Sequence, residues 1–440
     1  MRTSHGNVIL ADFVARILNS LSPKFERHRI WSPRLVVLSL MLSATFGANR
    51  TRLAWKPFLM RLHREYGCVL AWSGVPDPAG LYRAMQKVEV AVLRRTLVVA
   101  EALLSQVVRS TPLVQGRRLI AIDGTRLAMR RTRALAHRFK LPRGGNGGPP
   151  GHYPSGLAVV AYDVLSRVVV AYELASHRTS ERTLARTLLR RLPPNSVVLL
   201  DRGFPSREML DTLVGSGLPF IMRMVSTEMG GWPEVQDFLR TGSGDARWGL
   251  QCLSAQGRRT VSARLILGER PRRGRPRCNR TPKRLLVVTN LDRAAWPDTR
   301  VVDAYLRRWD IETCFREIKA YLGAESGRGA TPESAEKELL GALIAHAVVA
   351  AAACVTTRMA GGDAWNDPHA RRCVVTHGLE IVAAAVAVAL DPSPRHRRTL
   401  LELLIYSGAQ RQRRRPGRMH KRVAYRKGSM WLWLIERGQA

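Results

Sequence analysis

Three carboxylates that lie far apart in the chain are the side chains best suited to do chemistry. Asp123 and Asp201 each end a short apolar run, at residues 118–123 and 196–201, and Glu312 lies in a segment with helical spacing. Carboxylate oxygens are hard donors that suit Mg²⁺ or Mn²⁺. Two such ions about 4 Å apart activate a water or a 3′-hydroxyl for attack on a phosphodiester and stabilise the leaving oxygen. Convergence of the three acids therefore predicts metal-dependent phosphodiester chemistry.

The segment that carries Glu312, residues 304–322, is predicted to be a single helix with two distinct stripes. At about 100° per residue, six side chains fall within an arc of roughly 100°, and an apolar stripe lies next to it. The mixed stripe comprises Tyr305, Arg308, Glu312, Phe315, Arg316 and Lys319, and the apolar stripe comprises Ile311, Cys314, Ile318 and Leu322. The helix is expected to pack by its apolar stripe, present Glu312 to a metal, and use the flanking Tyr305, Arg308, Arg316 and Lys319 for phosphates.

Each of these features also has an ordinary structural interpretation. An aspartate that follows a strand often starts a turn. Arg308 and Arg316 are each four residues from Glu312, so they could form surface ion pairs worth about 0.3–0.5 kcal/mol each. Glu173 and Glu181 lie near the expected site in chain order, so either could support it, but ordinary surface roles are expected for both. What favours the catalytic interpretation is the ordered set of three acids.

The elements around the two aspartates are predicted to form a mixed sheet. In chain order they are a strand ending at Asp123, a hairpin at residues 157–163 and 167–173, a helix at 180–191, a strand ending at Asp201, a helix at 205–214 and a strand at 219–224. This is an α/β order, in which the first and fourth strands can lie side by side. Such a sheet brings Asp123 and Asp201 to neighbouring strand ends.

The expected fold class is α/β, with a mixed-sheet core interrupted by a β-rich insertion. The core is predicted in two parts, residues 113–224 and the helix-bearing residues 296–330, with the insertion at 225–295. Residues 1–112 are predicted to form a helical, DNA-binding N-terminal domain, for which a plain helical cap is the alternative. Residues 331–440 are predicted to be helical with a basic tail. The apolar run at 339–355 is interpreted as a buried helix rather than a membrane span.

The composition points to a polyanionic partner. The 440 residues include 71 Lys+Arg against 34 Asp+Glu, a formal net charge of +37, and the 45% hydrophobic content is enough for a real core. A chain this basic attracts nucleic acid, while an anionic membrane surface or a ribosome is the competing explanation. The six cysteines form no CxxC pair, and no secretory signal is evident. We expect a cytoplasmic, nucleoid-associated protein with no membrane and no small-molecule substrate.

Two clusters of basic residues are candidates for contact with DNA. Residues 270–284 carry eight Lys/Arg and no acid, and Arg273, Arg275 and Arg277 form an Arg-Gly-Arg-Pro-Arg motif that resembles a minor-groove hook. A loop that follows phosphates is the alternative. Residues 411–427 carry nine Lys/Arg and no acid, so they are interpreted as a phosphate-binding tail or a solvated one. Its central members are Arg413, Arg414 and Arg415.

The chain resembles the DDE transposases of the IS4 family of bacterial insertion sequences. The matching pieces are Ala-Ile-Asp-Gly-Thr around Asp123, Leu-Leu-Asp-Arg-Gly-Phe around Asp201, and a Y-x₂-R-x₃-E-x₆-K signature. All four signature positions have the family's spacing: Tyr305, Arg308, Glu312 and Lys319. Trp309, Ile311 and Phe315 also fit the usual pattern, and the resemblance covers residues 117–322.

This resemblance implies a fold and an activity. It implies an RNase H-like core in which Asp123, Asp201 and Glu312 bind Mg²⁺, with Mn²⁺ able to substitute. It also implies cut-and-paste transposition through a hairpin intermediate, by a homodimer that binds terminal inverted repeats and joins the ends to target DNA. An RNase H-like nuclease without strand transfer and a non-enzymatic basic nucleic-acid-binding protein are the alternatives.

Overall fold

The computed structural model describes most of the chain, in segments separated by gaps. The described residues are 2–21, 30–46, 55–67, 70, 72–107, 116–143, 150–225, 232–241, 247–254, 257–270, 283–327, 329–359 and 377–409.

One mixed sheet of eight strands organises these residues. Its spatial order is β3-β2-β1-β4-β5-β8-β7-β6. The strands are β1 (Arg118–Ala128), β2 (Ser155–Asp163), β3 (Val168–Ser176), β4 (Ser196–Leu200), β5 (Phe220–Arg223), β6 (Arg247–Ser254), β7 (Gly257–Arg270) and β8 (Lys283–Thr289). The pairs β1–β4 and β4–β5 are parallel, and all the others are antiparallel. The predicted hairpin and the side-by-side placement of the first and fourth strands are both confirmed.

Helices cover both faces of this sheet. They are α1 (Arg2–Asn19), α2 (Pro33–Phe46), α3 (Trp55–Tyr66), α4 (Pro78–Lys87), α5 (Val90–Val107), α6 (Arg133–Phe139), α7 (Glu181–Leu189), α8 (Arg207–Gly215), α9 (Pro233–Thr241), α10 (Asp298–Leu306), α11 (Asp310–Arg316) and α12 (Pro332–Met359), followed by helices at Gly378–Leu390 and Pro394–Ala409. Apolar side chains of α7, α8 and α9 pack on one face. Those of α5, α11, α12 and the N-terminal helices pack on the other. The α/β class with an RNase H-like core is thus confirmed.

The central helix of the second layer is α12. Residues 332–356 are long and apolar enough to cross a membrane, but 89% of an 18-residue apolar window within them is buried inside the protein. The helix packs against α1, α2 and α5. The expected role of residues 339–355 as a buried helix agrees with this packing, because burial against other helices accounts for their apolar composition.

The helix α12 approaches α2 so closely at Gly341 that a side chain has no room. A Cβ atom at this position would lie 2.7 Å from the Leu40 Cβ and 2.9 Å from the Leu40 backbone carbonyl. Glycine ordinarily costs a helix interior up to about 1 kcal/mol relative to alanine, so the close approach outweighs helix propensity here.

We therefore expect Gly341→Ala to lower the free energy of unfolding by about 1 kcal/mol or more, although alanine is the better helix former. Urea denaturation of the full chain measures the change. Gly74→Ala is the matched control, because a Cβ there meets nothing within 4 Å. An unchanged or raised free energy of unfolding in Gly341→Ala would show that α2 and α12 can move apart enough to admit the methyl group without loss of stability.

The segment predicted as a β-rich insertion forms α9 and the strands β6 to β8. Because β8 pairs with β5, these strands extend the core sheet instead of forming a sheet of their own. Their pairing partner lies outside the segment, so the spacing within it did not indicate this arrangement. The domain boundaries themselves remain predictions.

The helix predicted at residues 304–322 is present up to residue 321, but two turns within it are not α-helical. A 3₁₀ turn at Arg307–Trp309 separates α10 from α11, and a π-helical turn at Glu317–Tyr321 follows α11. A buried polar side chain occupies each irregular turn: Arg308 among carboxylates, and Glu317 at 2.9 Å from His346 Nε2. The winding changes where these side chains meet the partners that burial requires.

Candidate active site

The register of two parallel strands positions the aspartates. The last parallel pair between β1 and β4 is Ile122 with Leu200. Asp123 and Asp201 each follow directly, so they lie beside each other at the point where β4 ends. The structure differs from the prediction in one respect: β1 does not end at Asp123 but continues to Ala128, because β2 pairs with it to that residue.

Arg308 lies at the centre of the three acids. Its Nη1 is 3.1 Å from Asp123 Oδ2, and its Nη2 is 3.5 Å from Asp201 Oδ2 and 3.8 Å from Glu312 Oε1. The Arg308 side chain is only 2% exposed, whereas Glu312 is 49% exposed. The structure thus brings together all three predicted acids, but it also places Arg308 between them instead of on an open phosphate-binding surface.

Tyr305 and Arg223 lie at the edge of the site next to Asp201. The Tyr305 hydroxyl donates a long hydrogen bond of 3.4 Å to Asp201 Oδ1, and Arg223 Nη1 lies 3.7 Å from the same oxygen. Burial raises the pKa of Tyr305 to about 12, so the phenol is a neutral donor at ordinary pH. Arg223 was not among the predicted site residues. The signal for it in the sequence is a basic residue at the end of β5, the third of the parallel strands.

The remaining basic residues of the signature lie at the rim. Lys319 Nζ donates to the Arg126 carbonyl oxygen and lies 3.2 Å from Glu325 Oε1. Arg316 is exposed at the end of α11. Both are accessible to a phosphate, in contrast to Arg308. Six predicted phosphate-binding arginines of the two basic clusters lie outside the described part of the chain. They are Arg273, Arg275, Arg277, Arg413, Arg414 and Arg415.

A fourth acid, Glu181, is part of this cluster, contrary to the surface role expected for it. A Cβ atom at Gly124 would overlap Glu181 Oε1, so this carboxylate fills the space next to Asp123 that the glycine leaves open. Among the described residues, Glu181 Oε1 is buried without a hydrogen-bond partner. Glu173, by contrast, forms an ion pair with Arg191.

Burial and mutual repulsion disfavour the ionised forms of Asp123 and Glu181. Burial raises the pKa of Asp123, against the opposing effect of the Arg308 charge. Burial also raises the pKa of Glu181, and the nearby Asp123 charge adds to this. Ionised together, these carboxylates are therefore a source of unfavourable energy that a cation can relieve.

We expect Glu181→Gln to stabilise the metal-free protein at about pH 7.5 and to lose this advantage towards about pH 4.5. The Glu181 pKa lies above the ordinary carboxyl value of 4.5 in the fold. Glu181 therefore stabilises the folded state at pH values below the ordinary carboxyl pKa. This contribution is lost as the pH rises through the raised pKa of Glu181 in the folded state. Glutamine does not ionise, so it avoids that loss.

Urea denaturation with a chelator at both pH values measures this difference. Glu208→Gln serves as the control, because Glu208 is an exposed acid in the first turn of α8 and its pKa is lowered. A stability gain for Glu181→Gln that did not depend on pH would contradict the electrostatic explanation.

The donor set suits a hard divalent cation. The candidate ligands are carboxylate oxygens, and the unpartnered Glu181 Oε1 is a free acceptor beside them. Among the described residues, no group of three His, Cys, Asp or Glu is arranged to hold a metal ion directly. The acids face the Arg308 guanidinium instead, so the positive charge among them is supplied by the chain itself.

Comparison with known proteins agrees with this geometry. Residues 114–348 match the family model described as a transposase DDE domain. The match covers more than half of the chain and includes Asp123, Asp201 and Glu312, and the chain therefore belongs to this transposase family.

Among individual proteins, the chain is similar to the transposase InsG for insertion sequence element IS4 of Escherichia coli (strain K12). The two are 28% identical over 245 residues, which are 53% of this chain and 52% of that protein. The chain thus matches about half the length of this curated relative. The resemblance to IS4-family DDE transposases inferred from the sequence is confirmed.

Proposed function

We propose that this protein is a DNA transposase that cleaves phosphodiester bonds at the ends of its element and transfers the freed strands to target DNA. The observation that carries the proposal is the meeting of Asp123, Asp201 and Glu312 around one buried guanidinium. Three acids from distant parts of the chain would not share a cation unless the fold served to assemble them. Family membership and the net charge of +37 support the same conclusion.

In this proposal Asp123, Asp201 and Glu312 hold Mg²⁺, for which Mn²⁺ can substitute. When bound, the ions activate the attacking oxygen and stabilise the leaving oxygen of the phosphodiester. The chain supplies the carboxylates on rigid elements: one on β1, one directly after β4 and one on α11. Arg308 holds the acids together by its charge. Tyr305 keeps Asp201 oriented through its neutral hydroxyl.

Phosphate binding is proposed for the accessible cations beside the acids. Arg316 and Lys319 lie at the rim, where they can neutralise the DNA backbone next to the reacting bond, and fixed positive charge there stabilises a transition state that gains negative charge. Phosphate binding is also proposed for Arg308, whose guanidinium faces the acids in this structure. Arg273, Arg275 and Arg277, and Arg413, Arg414 and Arg415, are proposed to bind phosphates farther from the site.

The wider assembly is proposed from the family resemblance and the charge. A chain of +37 gains affinity for DNA by releasing condensed counterions. We propose that residues 1–112 contact the terminal inverted repeats, that two copies act together on paired ends, and that cleavage proceeds by cut-and-paste through a hairpin. Residues 113–224 and 296–330 would form the catalytic core, with 225–295 inserted and 331–440 as the helical C-terminal region. The proposed location is the cytoplasm, with the nucleoid.

The decisive experiment supplies the purified full chain with its element's ends, a target plasmid and Mg²⁺. We expect cleavage at the ends and joining to the plasmid, and neither in the presence of a chelator. Cleavage without joining would identify an RNase H-like nuclease instead. DNA binding with no metal-dependent cleavage would identify a non-enzymatic binding protein and overturn the proposal.

A further inference from the structure

Glu181 reaches the site from the opposite side of the sheet to Glu312. Alternate residues of a strand point to opposite faces. Ala121 packs in the cluster that includes Ile311 of α11, whereas Ile122 packs in the cluster that includes Leu184 of α7. Continuing this alternation, Asp123 faces α11 and Gly124 faces α7, the helix that begins at Glu181.

Side chains from the two faces of the sheet can meet where β4 ends. Up to Leu200, β4 lies beside β1 and the two strands separate the helix layers. Beyond this residue β1 continues without β4, and the Glu181 carboxylate lies against Gly124 at that point. A side chain at Gly124 would overlap this carboxylate, so the glycine is what admits Glu181 to the side of Asp123.

The Glu181 carboxyl lies beside Asp123 without a basic partner among the described ion pairs. It interacts with the Gly124 backbone and the Asp123 side chain, while its Oε1 is buried and has no hydrogen-bond partner. The nearest charge of consequence is that of Asp123, which has the same sign. A half-buried carboxylate beside another carboxylate costs free energy when both are ionised, and a cation is the group that would compensate both.

We propose that Glu181 is a fourth carboxylate of the centre and that its oxygen helps to bind a divalent cation on the Asp123 side. The proposal rests on the metal-dependent function proposed above and adds a residue from the second helix layer to it. The site would then enclose its cation from both faces of the sheet: Asp123 and Glu312 on one, Glu181 on the other.

The test is Mn²⁺ binding by the full chain, measured as free Mn²⁺ by electron paramagnetic resonance. We expect Glu181→Gln to weaken Mn²⁺ binding roughly 10–100-fold, the loss typical of a residue that supports a metal site. Glu208→Gln, the exposed first-turn acid of the neighbouring α8, should bind Mn²⁺ as the unchanged protein does. Asp123→Asn is the reference for a lost ligand.

The outcomes separate the two proposals. If Asp123→Asn loses Mn²⁺ while Glu181→Gln binds normally, the role of Glu181 is refuted and the proposed function stands. If the unchanged protein binds no Mn²⁺ although it unfolds cooperatively, the metal-dependent function fails and the role of Glu181 fails with it.

A second variant tests the position of Glu181 without removing its charge. Gly124→Ala places a methyl group where the Glu181 carboxylate lies, so it should weaken Mn²⁺ binding about as much as Glu181→Ala does. In a Glu181→Ala background the same methyl group should cause no further loss, because the carboxylate is already gone. Equal losses in both backgrounds would overturn the proposal, since Gly124→Ala would then act without Glu181. Thermal unfolding of each variant confirms that it folds.

Discussion

Glu312→Gln is expected to reduce Mg²⁺-dependent cleavage of the element's ends by at least about 10³-fold while leaving DNA binding almost unchanged. Glutamine keeps the shape of the side chain but removes the charge that would hold a cation. Glu312 is half exposed, and its ion pair with Arg308 Nη2 is long, at 3.8 Å. The folded state should therefore tolerate the loss of its charge. DNA affinity rests on the many Lys and Arg contacts to phosphate, which the substitution leaves intact.

The measurement pairs cleavage of labelled ends with a gel-shift assay on the same DNA. Asp310→Asn is the matched control, because it removes an acid from the same helix, and Asp310 is not among the ion-pair partners of Arg308. Asp201→Ala should lose cleavage in the same way as Glu312→Gln. Full cleavage by either variant would remove these acids from the chemistry.

Arg308→Met is expected to lower the free energy of unfolding at about pH 7.5 by about 2–3 kcal/mol in the absence of divalent ions. Breaking a buried ion pair costs about 3–5 kcal/mol, and the partial exposure of the acids reduces this. Arg308 itself is 2% exposed, while Asp123 and Asp201 are 23% and 30% exposed. Without the guanidinium, the three carboxylates repel one another and have no counter-charge.

This loss should depend on both pH and metal. The Arg308 charge opposes the rise that burial causes in the pKa of Asp123, so removing Arg308 raises this pKa further. The folded variant then binds a proton at Asp123 more tightly than the unfolded chain does. The deficit is present above this pKa and shrinks as the pH falls through it towards about pH 4. Millimolar Mg²⁺ should also restore part of the stability, because cations neutralise the same acids.

Urea denaturation with chelator or Mg²⁺, at both pH values, measures these effects. Arg307→Met is the control, since Arg307 is the exposed neighbour in the same 3₁₀ turn. A loss of equal size under all conditions would mean that Arg308 contributes packing alone and that its charge does not hold the acids.

The sequence by itself determined which residues form the centre and which elements carry them. Apolar runs that end in Asp123 and Asp201, together with the spacing from Tyr305 to Lys319, identified the acids and the family. The alternation of strand and helix patterns gave the α/β class and the hairpin. These features are local, because the period of buried side chains along a segment reports its own secondary structure and its buried face.

Only the tertiary structure decided how the residues face one another. A helical wheel put Arg308 on an open stripe beside Glu312, but it cannot show the sheet that buries this side chain among three acids. Glu181 had no local signal, since its approach to Asp123 depends on α7 packing on the sheet and on β4 ending at Leu200. The strands β6 to β8 joined the core sheet through a partner distant in sequence. Contacts of this kind arise from packing between elements, which no single segment encodes.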